Sequence, residues 1–148
     1  MNFFKWVWGQ IIRTNDKSDQ EMSRVEDQSS EYKEFEINVA GVTHKNNDGS
    51  SRKKIASSCH YGQKLILVRE LDNPYDKNAV KIMTESNKQL GYVDAWNAKD
   101  FQAILKGTSR TYSHIECAFI ESGMFKPEDE DKLLPYCTVS IKKYYKNN

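Results

Sequence analysis

Arg69-Glu70-Leu71-Asp72-Asn73-Pro74-Tyr75-Asp76-Lys77-Asn78-Ala79-Val80 sets a polar, turn-forming stretch between two apolar runs. The run before it, Lys64-Leu65-Ile66-Leu67-Val68-Arg69, is bounded by Gly62 and reads as a core strand; Ala79 to Thr84 reads as the next one. Asn73 precedes a proline and so takes an extended conformation, while Pro74 fixes its own φ. Tyr75 and Asp76 are therefore presented on a stiffened connection. One ring face beside one carboxylate suits a flat, hydroxyl-bearing ligand. An unpaired base with its sugar fits, since stacking on an aromatic is worth about 1–3 kcal/mol per base whatever the sequence. The same residue types also serve any tight connection, in which Asn and Asp side chains bond the backbone.

Working outward, Phe35, Ile37 and Val39 alternate with Glu36, Asn38 and Ala40, the period of a half-buried strand that ends at Gly41-Val42. His44 to Gly49 is rich in turn residues, and Ser50 is placed to cap a short helix running to about Ser58. Beyond the third strand, Ser86-Asn87-Lys88 makes a turn into a fourth, Gln89 to Val93. The period then changes: Asp94 is a good N-cap, Ala95, Ala98, Phe101, Ile104 and Leu105 mark one helical face, and Gly107 is a stop signal. His114 to Ile120 and Tyr136 to Ile141 read as two last strands joined by an acidic loop at 123–133. The expected fold is mainly β, a small six-stranded OB-like or SH3-like barrel with one short and one longer helix.

The chain has 148 residues, enough for one domain with a tail. Eight Tyr, six Phe and three Trp can build a core although only 38% of residues are apolar. The expected domain spans 32–146. Residues 1–31 divide into an apolar start containing Phe3, Phe4, Trp6 and Trp8, and a charged linker from Thr14 to Glu31 too poor in large apolar residues to order by burial. The apolar start is too short to span a bilayer and no small-residue cleavage site follows it, so it reads as a segment docking on the core, with contact to a membrane surface or to a protein partner as the alternatives. Charge is balanced, with 22 Lys plus Arg against 21 Asp plus Glu, and any nucleic-acid contact must be local. Residues 44–81 are net basic and hold Lys45, Arg52, Lys53 and Lys54. Cys59, Cys117 and Cys137 cannot all pair and form no Cys-x-x-Cys, which suits a reducing, cytoplasmic setting.

Catalytic signatures are missing: there is no Gly-x-Ser-x-Gly, P-loop or His-Glu-x-x-His. Asp72 with Asp76, or the acids at 128–131, would be the carboxylates for Mg²⁺, but the acidic run reads as a solvated connection. His114 and Cys117 fall on opposite faces of a strand, and Cys59-His60 has no partner pair nearby, so neither a metal site nor a cofactor is expected. A non-enzymatic binding module is the reading that remains.

Gly41-Val42-Thr43-His44 through Asp48-Gly49-Ser50-Ser51-Arg52, then Leu67-Val68-Arg69-Glu70 with Asp72 to Val80, then Leu90-Gly91-Tyr92-Val93, resemble the HIRAN domain over about residues 34–143. The resemblance implies an OB-like barrel that, in members fused to fork-remodelling helicases, grips the 3′-hydroxyl end of single-stranded DNA. It implies that Tyr75 stacks on the terminal nucleotide, that Asp76 accepts a hydrogen bond from the hydroxyl, and that Asn73 supports the pocket. Tyr92 stands where those members have a histidine near the DNA. Two cations are replaced: Thr43 and His44 follow the first strand in place of a basic residue and an aromatic, and Asp94-Ala95 stands where a lysine is expected. Their loss flattens the salt dependence of binding. Lys45, Arg52, Lys53 and Lys54 on the adjacent loop are the cations able to substitute, and His44 stands beside the proposed pocket.

Overall fold

The computed structural model describes residues 31–147. The readings of the aromatic start and of the charged linker lie outside those residues. From Tyr32 onward the elements are β1 (Tyr32–Asn38), α1 (Arg52–Ser58), β2 (Lys64–Arg69), β3 (Val80–Thr84), β4 (Gln89–Tyr92), α2 (Ala95–Lys106), β5 (Tyr112–Phe125) and β6 (Leu134–Tyr145), in the order expected from the sequence. The six strands form one antiparallel sheet in the order β1-β6-β5-β2-β3-β4, curled into an OB-like half-barrel.

Period-two alternation puts Ile37, Leu65, Ile82, Leu90, Phe119, Val139 and Ile141 on the inner face, where they form one apolar core. β6 is flanked by strands on both sides, and Cys137 to Ile141 are buried without a break. The sheet's two edge strands meet just past β1, where Ala40 N–H donates to the Tyr92 carbonyl at 2.8 Å and Tyr92 N–H to the Ala40 carbonyl at 2.9 Å. This seam requires Gly91: a Cβ there would lie 2.5 Å from the Ala40 carbonyl oxygen.

Asp94 caps α2 by accepting from Asn97 N–H, and Gly107 ends it at φ 79°. The helix buries Ala98, Phe101 and Ile104, and Asp100 pairs with the buried Lys143 ammonium at 3.0 Å. Among the described residues no helix is long and apolar enough to cross a membrane. The three cysteines are free thiols, and burial pushes Cys137 up to about 12.

Two details differ from the sequence reading. The cap of α1 is Ser51, whose hydroxyl accepts from Lys54 N–H, and not Ser50. Ser50 is already engaged, its hydroxyl and its N–H both donating to Asp48 Oδ1 at 2.6 and 2.9 Å. The last hairpin is also longer than expected, with pairing continuing to Phe125↔Leu134, so strand replaces part of the loop assigned to 123–133. Tyr136 accounts for this: its ring meets Phe125 edge-on and covers Gly123 on the facing strand, supplying cross-strand packing where alternation fades.

Candidate nucleic-acid interface

The connection between β2 and β3 is built by its own polar side chains. Glu70 N–H donates to the Ala79 carbonyl at 2.9 Å and closes its base. Inside it, Asn73 Oδ1 accepts from the N–H groups of both Tyr75 (2.8 Å) and Asp76 (2.9 Å), while its amide nitrogen donates to Glu70 Oε1 at 2.7 Å. Helix α2 props the loop from below: Gln102, only 7% exposed, accepts from Arg69 Nε at 2.8 Å and donates to the Asn78 carbonyl at 2.7 Å.

On this frame Tyr75 is 95% exposed, its ring held away from the core. Asp76 is half-buried, with Oδ1 accepting from Asn78 N–H at 2.8 Å and capping its own turn. Its Oδ2 makes no hydrogen bond among the described residues. The tension in the sequence reading, a loop built for a ligand against one built for itself, therefore divides by residue. Asn73 has both ends of its amide engaged within the loop, Asp76 has one oxygen engaged, and Tyr75 none.

Tyr92 joins the same network from β4. Its hydroxyl donates to the Glu70 carboxylate, at 3.0 and 3.2 Å from the two oxygens, and Lys81 Nζ lies 3.5 Å from Glu70 Oε2. Burial raises the Glu70 carboxyl, but the bonds from Asn73 and Tyr92 and the Lys81 charge outweigh it and hold it below its ordinary value. The Arg52 guanidinium lies 5.3 Å from the centre of the Tyr92 ring. Arg52 is only 9% exposed, with Nε on Asn46 Oδ1 (2.7 Å) and Nη1 on the Gly41 carbonyl (3.0 Å). Its two hydrogen bonds brace the 41–52 loop, and its contact with the Tyr92 ring sets that loop against β4. His44 and Lys45 are exposed on that loop.

A groove of about 620 Å³ runs between the 46–52 loop, the base of the 70–79 connection and the β3–β4 hairpin. Arg52, Lys81 and Lys88 line it against Asp48, Glu70 and Asp72, so its wall is electrically balanced. Tyr92 and Pro74 belong to the wall, whereas Tyr75, Asp76, His44 and Lys45 stand outside it. Sequence reading missed Glu70, Lys81 and Gln102. The available signal was a charged residue three positions before an Asn in a tight loop, and a Gln on an otherwise apolar helical face. A second, more apolar opening of about 710 Å³ lies where β2 and β5 diverge, over Leu67, Leu105 and Ile115, and holds none of the residues named from sequence for nucleic-acid binding.

A half-open antiparallel barrel with a polar loop displaying one ring places the chain in the class of small OB-like β folds. Within that class the chain belongs to the HIRAN domain family, whose sequence model matches residues 32–133. HIRAN is known as a nucleic-acid-binding domain. The match stops short of β6, although β6 lies between β1 and β5 and the fold is incomplete without it. Among solved structures the chain is similar to the HIRAN domain of human HLTF, with 18% identity over 77% of each chain and a TM-score of 0.53. It also matches a protein from Lactobacillus plantarum, with 15% identity, 74% of this chain and 99% of that one covered, and a TM-score of 0.43. A search of curated proteins matches nothing.

Proposed function

We propose that this domain binds the 3′-hydroxyl end of single-stranded DNA and does not process it. Tyr75 stacks on the terminal base, Asp76 Oδ2 accepts from the 3′-hydroxyl, and Asn73 holds both in place through their backbone N–H groups. The observation that carries the reading is the exposed Tyr75 ring on a loop with fixed backbone hydrogen bonds. A stacking platform in that state loses little entropy on binding. His44 and Lys45 are the exposed cationic or ring-bearing neighbours on the facing loop. Tyr92 acts through Glu70 from behind, and Arg52 through its hold on that loop.

The test is a fluorescence titration of labelled oligonucleotides ending in a 3′-hydroxyl or a 3′-phosphate, with the wild-type chain and Tyr75→Ala. A preference for the free hydroxyl, and loss of about tenfold or more in affinity in the variant, are expected. Equal affinity for both ends removes the end pocket. It would favour the other reading, a protein-interaction module docking partners through the aromatic residues at 3–8, which the inward commitment of Arg52 also suits.

A further inference from the structure

We propose that Glu70 is the positioning residue of this site, the group that decides which way Asn73 faces and so whether the loop is set for a ligand; this rests on the end-binding reading above. An ionised carboxylate can only accept hydrogen bonds. Asn73 must then turn its NH₂ toward Glu70 Oε1, 2.7 Å away, which leaves its carbonyl oxygen for the N–H groups of Tyr75 and Asp76. With the amide reversed, its NH₂ would face those two donors and the loop would lose both bonds. The same carboxylate takes the Tyr92 hydroxyl from β4 and sits beside the Lys81 ammonium of β3. One acid thus joins the connection to both strands behind it. The Glu70 side chain is only 18% exposed, so these partners are not readily replaced by water.

The inference separates chemistry from size. Glu70→Gln keeps the volume but brings a group that donates as well as accepts, so only the N–H groups of Tyr75 and Asp76 are left to orient Asn73. Glu70→Asp is shorter by one methylene but keeps an acceptor-only group. Two readouts are needed. The first is amide hydrogen exchange at Tyr75 and Asp76 relative to Ile82 and Val139 in the core, measured without any ligand. The second is the ratio of affinities for 3′-hydroxyl and 3′-phosphate oligonucleotides.

Glu70→Gln is expected to speed exchange at Tyr75 and Asp76 by tenfold or more with the core unchanged, and to lower the end-preference ratio fivefold or more. Glu70→Asp is expected to be milder on both. Exchange at the two amides that is unchanged in Glu70→Gln, or faster only in proportion to the core, or a milder Gln than Asp variant, overturns the inference. If exchange responds as expected while the wild-type chain shows no preference between ends, the positioning role stands and the end-binding reading falls. If the wild-type chain prefers the hydroxyl and the Gln variant prefers it equally, the end-binding reading stands and the role of Glu70 falls.

Discussion

Two connections in this domain are alike in composition and differ in structure. Residues 70–79 and 126–133 are both polar, proline-containing and rich in acids. The first is tied at every level, through Asn73 within, Glu70 and Tyr92 to the strands, and Gln102 to the helix. The second holds itself by one turn bond, Glu130 N–H to the Pro127 carbonyl at 3.2 Å, and its acids stand exposed. Polar composition therefore does not distinguish a built site from a solvated link. What distinguishes them is where the side-chain hydrogen bonds end, and that is set by residues distant in sequence.

The sharpest way to break this contrast is to remove the anchor under the first connection. Gln102→Leu leaves the Asn78 carbonyl and the Arg69 guanidinium without their buried partner. It is expected to cost about 1–3 kcal/mol in urea unfolding and to weaken oligonucleotide binding as the loop loosens.

Acid should act on the same connection. The Glu70 carboxyl is held below its ordinary value in the folded chain, so its contribution to stability is full above that value and is lost as pH falls through the lowered one. Urea midpoints measured from pH 6 down to pH 3 should fall, and the fall should shrink in Glu70→Gln.

Salt tests the groove wall, where cations and acids balance. The slope of log affinity against log salt concentration should be shallower than about −1.5, which corresponds to about two phosphates neutralised on a single strand. A steep slope would mean that the exposed lysines at 45, 53 and 54 hold the strand.

The smallest effect is expected at the second connection. Replacing Glu128, Asp129, Glu130 and Asp131 together by Ser should change stability by no more than about 0.5 kcal/mol and leave oligonucleotide affinity unchanged, checked by the same two assays.

The order of strands and helices was legible because strand alternation and the capped period of α2 are local signals. Register and closure were not, since the Ala40–Tyr92 pair joins residues far apart and depends on Gly91 having no side chain. In the 70–79 connection, the outward display of Tyr75 could be read because proline stiffening is a property of neighbouring residues. The dual engagement of Asn73 and the capping by Asp76 also lie within a few positions, yet their outcome depended on Glu70, which needs Tyr92 and Lys81 beside it. The burial of Arg52 was hidden for the same reason: only the fold brings Asn46 and Gly41 to its guanidinium.

Tyr92 belongs to two structures at once, its hydroxyl to the Glu70 network and its backbone to the pair of bonds that closes the sheet on itself. Whatever steadies the loop should therefore also quieten the breathing of the barrel at Ala40. An occupied site would be felt on the far edge strand as slower local opening, with no ligand atom touching it.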